Sequence, residues 1–519
     1  MEPRIMMGNE AIARGALEAG CHVAAAYPGT PSTEILEAVS RDAPSIKAQW
    51  SPNEKVALEV AFGASLGGAR AMAAMKHVGV NVAADPLFTF AYSGVNAGLV
   101  LVDADDPGQW SSQNEQDNRH YARHAKVPML EPSSPDEARR FMKLAFKISE
   151  TFDRPVIVRI TTRIAHSRAL VHCEPPEQKD VREFVRDPQK YVMIPIHGRE
   201  RHKNIEARNP ELMNYSETSG LNVIEWGTKD RGIITDSIAY QYVKEVAPEA
   251  SVLKIGMVWP LPEKLIREFA AQVRELVIVE ELDPFIENYT KAMGITVTHG
   301  KDRFPICGEL TPDTVARGLD IMLPANDIPS YPKKLPPRPP QLCKGCPHAL
   351  VFTALKQLDL HVIGDIGCYT LGALPPYYAM HTQTCMGASV GMHLGMEKAN
   401  PELAAKSVAV IGDSTFVHSG ITPLIDTVYN QGTGTVIILD NRTTAMTGHQ
   451  DHPGTGVTLG GQETHALDFE KLCEAVGVQH VQTFDPFKVQ DLKGLIQAEV
   501  ERREPSVLIA RRPCILNKR

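Results

Sequence analysis

The sequence predicts an α/β protein built on parallel sheets, and three observations carry that expectation. Short apolar runs at 98–102, 156–160, 408–411 and 435–439 have the length of buried strands. Stretches of helical spacing separate them, the pattern of strand–helix–strand crossovers. The first and last parts of the chain are similar in size and kind, with a smaller α/β segment between them. A length of 519 residues allows about three such domains.

Composition excludes several classes. Hydrophobic residues make up 43% and charged residues 22%, as in an ordinary globular protein. The net charge is −8, and the only basic tracts are short pairs such as Lys333-Lys334, so nucleic acid is not an expected partner. No run of about 18 apolar residues predicts a membrane span. The N-terminus lacks the apolar core of a signal peptide and reads as a domain start. Nine scattered cysteines suit a reducing cytoplasm, where thiols serve metal or redox chemistry.

The elements follow in order. Residues 1–176 form the first expected domain. Within it, 22–39 reads as a strand, a Gly/Pro turn at Tyr27–Pro31 and a helix with Ser32 near its cap. The alanine- and glycine-rich stretch 53–75 reads as helical. Residues 111–124 (SSQNEQDNRHYARH) are too polar for a core and too long for a hairpin, which leaves a binding or closing loop, or a solvated one. Residues 177–220 are a charged, partly helical connection. A smaller α/β domain spans 221–330, with strands at 222–225, 232–235, 252–255 and 276–280. Residues 331–341 are a stiff proline-rich linker, and 342–519 form the last domain.

The chemistry concentrates in 408–456. A right-handed crossover between the runs 408–411 and 435–439 sets Asp413 and Asn441 side by side at the carboxyl ends of neighbouring strands, where open α/β sheets bind ligands. Two side-chain oxygens, with backbone carbonyls from the loop 442–444, suit a hard Mg²⁺ that also holds a diphosphate. Gly412 allows close backbone approach, and the loop carrying Gly448, Gly454 and Gly456 can fold over a ligand. His449 and His452 lie in that loop, available for proton transfer or for binding backbone or phosphate. In Cys343-Lys344-Gly345-Cys346 two thiolates can ligate one centre, with Cys368 and a late Cys514 as further ligands. Four thiolates suit a [4Fe–4S] cluster; structural zinc is the alternative. Cys21, Cys173, Cys307 and Cys473 read as packing residues.

Gly412-Asp413-Ser414 followed by Asp440-Asn441 resembles the GDG…NN signature of thiamine diphosphate enzymes, with Ser414 for the second glycine and Asp440 for the first asparagine. Neither departure touches Asp413 or Asn441. Glu54, ahead of Gly63-Ala64-Ser65, resembles the glutamate segment of 2-oxoacid:ferredoxin oxidoreductases. That resemblance implies an acid held against the cofactor's pyrimidine ring; the plainer reading of Glu54 is a helix-dipole partner, and Glu59 is its local competitor. The turn Tyr27–Pro31 resembles the family's turn that meets the 2-oxo acid, with Thr30 on the contacting position, or it is a plain turn and cap.

Taken together, YPGTPSTEI, NEKVALE…GAS, CKGCPHA, GDIGCYTLG and GDSTF…LDNRTTAMTGHQDHPGTG resemble the large subunit of indolepyruvate ferredoxin oxidoreductases over essentially the whole chain. The resemblance implies two thiamine-diphosphate-binding domains, pyrimidine-binding at 1–176 and diphosphate-binding at 342–519, sharing one cofactor. A transketolase-C-like domain at 221–330 stands between them in the sequence. It implies Glu54 and Thr30 as catalytic residues, and Gly412, Asp413, Ser414, Asn441, Thr443 and Thr444 around the cofactor. Asp413, Asn441 and Thr443 would hold Mg²⁺. Cys343, Cys346, Cys368 and Cys514 would hold [4Fe–4S], with Cys385 the rival fourth ligand. The implied reaction is oxidative decarboxylation of an arylpyruvate to the arylacetyl-CoA, with coenzyme A as cosubstrate and ferredoxin or a ferredoxin-like protein as acceptor. A small (beta) subunit would complete a cytoplasmic hetero-oligomer. The family's large subunit usually continues into a ferredoxin-like module that is not in this sequence, so a separate subunit or direct docking is expected to take the electrons. The alternatives are a non-oxidative thiamine diphosphate-dependent 2-oxo acid decarboxylase and a non-catalytic scaffold.

Overall fold

Apolar strands, most of them buried and most followed by a helix, generate three main sheets. The computed structural model describes residues 2–323, 336 and 338–517. Most of the linker expected at 331–341 lies outside the described residues. The chain divides into two compact units, Met1–Ile328 and Pro329–Arg519.

In the first unit a seven-stranded sheet runs Met257–Trp259, Met129–Leu130, Val156–Thr161, Leu99–Asp105, Ala71–Lys76, Val23–Ala26, Lys47–Trp50. All pairs are parallel except the first, an antiparallel edge strand drawn from beyond the charged connection. Asn222 fixes that edge, its Oδ1 accepting from the amides of Gly256 and Met257 at 2.9 Å each. A four-stranded sheet, Glu275–Val279, Thr228–Asp236, Ala250–Ile255, Val223–Glu225, lies in the same unit. The charged connection includes the long helix Pro195–Thr218.

The helix expected over 53–75 is shorter than its composition suggests. It spans Glu54–Leu66, and Ala71–Lys76 is a fully buried strand. Gly67 and Gly68 make the break. Gly68 takes φ +92°, and a Cβ there would sit 1.9 Å from the Arg182 carbonyl oxygen, so only glycine lets the chain turn against the connection.

The second unit holds an all-parallel five-stranded sheet ordered His361–Ile363, Ser407–Gly412, Thr435–Asp440, Ser506–Arg511, His480–Phe484. Val408, Val410, Ile437, Leu439 and Leu508 fill one face; Ala409, Ile411, Ile438, Val507 and Ile509 fill the other. Burial on both faces is what makes these strands near-continuous apolar runs. Among the described residues no helix is long and apolar enough to cross a membrane.

Candidate active-site residues in the two units

In the second unit the register pairs Gly412 with Leu439, leaving Asp413 and Asn441 just past the carboxyl ends of adjacent parallel strands. Asp413 is 3% exposed. Its Oδ1 accepts from the Ser414 amide at 2.9 Å, and its Oδ2 from the Arg442 amide at 2.8 Å and His452 Nε2 at 3.1 Å. The Gly454 amide donates to His452 Nδ1 at 3.1 Å, which puts that ring's proton on Nε2, facing Asp413. Burial works against the charge on Asp413, but His452 and the Ser414 amide hold its pKa below the usual carboxylate value. Asn441 Oδ1 accepts from the Thr443 amide at 3.1 Å. A carboxylate offers about four lone-pair sites and an amide oxygen two. Both are oxygen donors of the kind a hard cation takes, and the Asp440 side chain also reaches Asp413.

The loop beyond folds back on itself. Thr443 Oγ1 donates to Gln450 O at 3.4 Å, and Thr444 Oγ1 to Ser414 Oγ at 2.9 Å. Asp440, one of the two signature departures, is held by Arg511 Nε at 2.7 Å and Arg442 Nε at 3.3 Å, a structural use for its charge. The close approach that Gly412 permits is to the Tyr369 ring, whose Cε1 would stand 2.6 Å from a Cβ. His449 takes φ +68°, and among the described residues its buried Nδ1 has no hydrogen-bond partner.

The four thiols gather in the same unit. The Cys346 amide donates to Cys343 O at 3.0 Å, with Gly345 at φ +81°, and a Cβ on Gly345 would lie 2.9 Å from Ile515 Cδ1, beside Cys514. Cys368 opens the short helix Cys368–Ala373. Burial pushes its thiol up to about 11, and Cys514, Cys346 and Cys343 add to the effect. Cys346 is raised by burial, with Cys343 and Cys514 contributing. Thiols that oppose one another's ionisation form a donor set a metal centre would deprotonate on binding. Cys385 is exposed and figures in neither shift. Cys307 is also exposed, which corrects its reading as a packing residue; Cys21, Cys173 and Cys473 are buried.

In the first unit Asn53 caps the helix Glu54–Leu66, accepting from the Val56 amide at 2.9 Å, and Glu54 at its first turn is 4% exposed. The Glu54 side chain passes over Gly79, where a Cβ would stand 2.7 Å from its Cγ. Glu59 faces solvent, paired with Lys55. Thr30 follows the strand Val23–Ala26, its carbonyl accepting from Ser111 Oγ at 3.3 Å. Ser32 stands at the N-cap position of the next helix, as expected; its hydroxyl donates to Gly29 O at 2.8 Å and, among the described residues, accepts from no helix amide.

Sequence reasoning missed Lys76 and His77. The Lys76 stem lies across Gly29, and its Nζ donates to Ser111 O at 2.8 Å. Burial lowers its pKa to about 8, against the charges of Asp106 and Glu54. His77 is fully buried, with Nε2 3.1 Å from Asn114 O. The available signal was the Gly67-Gly68 break, which turns the following apolar run into a strand ending at Lys76.

The stretch 111–124 is not simply too polar for a core. Its second half is the helix Arg119–Ala125, and Arg119 is 1% exposed. Arg119 bonds Asp117 at 2.5 Å, Asp236 at 3.0 Å and Glu280 at 2.7 Å, partners that a local reading of the stretch leaves out.

Two family models match: "Thiamine pyrophosphate enzyme, C-terminal TPP binding domain" over 365–510, and "Pyruvate flavodoxin/ferredoxin oxidoreductase, thiamine diP-bdg" over 14–222. Indolepyruvate oxidoreductase subunit IorA of Archaeoglobus fulgidus is 43% identical over 99% of this chain and 87% of its own length. The subunit of the same name from Pyrococcus abyssi is 40% identical over 99% of this chain and 86% of its own. Among solved structures, a 2-oxoglutarate:ferredoxin oxidoreductase from Magnetococcus marinus aligns with a TM-score of 0.52 at 17% identity. It covers 62% of this chain and 65% of that one, a likeness of fold alone.

Proposed function

The chain belongs to the indolepyruvate oxidoreductase IorA family of thiamine diphosphate-dependent 2-oxoacid:ferredoxin oxidoreductases, and from that premise we propose that it decarboxylates an arylpyruvate oxidatively to the arylacetyl-CoA and CO₂. The observation that carries the reading is the coexistence in one chain of a buried helix-head Glu54, the Asp413–Asn441 pair and the mutually interacting thiols.

Thiamine diphosphate, when bound, supplies the electron sink for loss of CO₂. Glu54 is assigned to the pyrimidine ring, as the acid that activates the cofactor. Asp413, Asn441 and the loop at Thr443 are assigned to Mg²⁺, with Ser414 and Thr444 beside them. His452 positions Asp413. Thr30 is assigned to the 2-oxo acid.

Cys343, Cys346, Cys368 and Cys514 are assigned to a [4Fe–4S] cluster that passes single electrons to ferredoxin or a partner subunit. Two observations favour that donor set. Cys514 contributes to the shifts of both Cys346 and Cys368. The turn Cys343–Cys346, with Gly345 at φ +81°, approaches Ile515, the residue after Cys514. A small subunit of the family's kind is the proposed partner, and the cytoplasm the proposed compartment.

The test is anaerobic purification with the native partner chain, quantification of iron and thiamine, and an assay over a panel of 2-oxo acids. The reading expects about four iron atoms per chain and coenzyme A-dependent turnover of arylpyruvates. Aldehyde formation without coenzyme A, in iron-free protein, would establish the non-oxidative decarboxylase instead.

A further inference from the structure

We propose that Lys76 is the cation that holds the substrate's carboxylate, a role that rests on the function proposed above. Lys76 ends the strand Ala71–Lys76 at the edge where parallel sheets present ligand-binding groups. It is 9% exposed, and among the described residues its ammonium has one hydrogen-bond partner, the Ser111 carbonyl. An ammonium carries three donors, and a buried charge with two of them idle is costly. Asp106 and Glu54 support the charge from further off. Asp106 is engaged elsewhere, by the Ser111 amide at 2.8 Å, Ser112 Oγ at 2.7 Å and Thr162 Oγ1 at 2.8 Å.

The surroundings say which anion completes the set. The Lys76 stem crosses Gly29, next to Thr30, and a Cβ at Gly29 would meet its Cδ at 3.1 Å. Three residues on, Gly79 carries the Glu54 side chain across its face. One short turn therefore brings together a cation, the hydroxyl residue assigned to the 2-oxo acid, and the acid assigned to the cofactor. The charge of a 2-oxo acid is on the carbon next to the reacting carbonyl, so holding the carboxylate also aims the carbonyl. A tether for the loop through Ser111 would need only a neutral donor, and a glutamine could supply it.

The experiment uses the complete complex with its native partner chain and two variants. Lys76→Gln keeps a donor for Ser111; Lys76→Met keeps the stem against Gly29. For both, kcat/KM toward indolepyruvate is expected to fall about 100-fold, mainly through KM, with thiamine and iron content unchanged. Calorimetry supplies a readout apart from turnover. Wild type should bind unreactive indole-3-propionate at least about 10-fold more tightly than its neutral amide, and the variants should show no preference. A variant that keeps the preference, a KM within about threefold of wild type, or a wild type indifferent to the carboxylate overturns the assignment. Absence of 2-oxo acid turnover by the wild-type complex overturns the function itself, a separate result.

Discussion

Glu54 shows how much one side chain depends on its neighbours' lack of bulk. It is buried at the head of its helix, and its path is open because position 79 is glycine. Glu54→Gln preserves the shape and removes the acid, so activity of the complex should fall about 10²–10⁴-fold while bound thiamine is retained, measured by turnover and vitamin assay on the same sample. The cysteines make a second contrast. Cys514→Ser should cost the brown absorbance and most of the iron, whereas Cys385→Ser, at an exposed position, should keep both. Asp413 and Asn441 were legible because each ends an apolar run that can only be a buried strand. Lys76 was not. Its strand, AMAAMK, has no β-branched residue, and alanine and methionine score as helix formers.

Among the elements, the break between Leu66 and Ala71 matters most for the site, since it turns one expected helix into a helix and a strand whose ends carry Glu54 and Lys76. Gly68→Ala meets both a left-handed backbone and the Arg182 carbonyl, so it should lower stability by about 2 kcal/mol or more, read as a fall in Tm with the fold retained. The strands Leu99–Asp105, Val156–Thr161, Ser407–Gly412 and Thr435–Asp440 were readable from length and hydrophobicity. The antiparallel edge strand Met257–Trp259 was not, because its partner Met129–Leu130 is remote in sequence and the pairing depends on Asn222.

For the whole molecule, the α/β class expected from the apolar runs is the class the chain adopts. What sequence could not supply was the joining of parts within the first unit. Arg119, at the head of its helix, bonds Asp236 and Glu280 at the strand ends of the four-stranded sheet. A local reading of 111–124 sees only charge. Arg119→Met would leave several buried carboxylates without their cation, and a loss of about 3–5 kcal/mol is expected in denaturant titration. Within the second unit, the Cys514 amide donates to the Asn441 carbonyl at 2.9 Å, and His348, two residues past Cys346, lies 3.4 Å from Asn441 Nδ2. If these cysteines hold the proposed cluster and Asp413 and Asn441 the proposed magnesium, a chelator or dissolved oxygen that strips the iron should slacken the magnesium's seat as well. Apparent vitamin leakage during aerobic handling would be a symptom of a corroded inorganic centre, and reconstituting with iron and sulfide, rather than adding more thiamine, should be what restores tight retention.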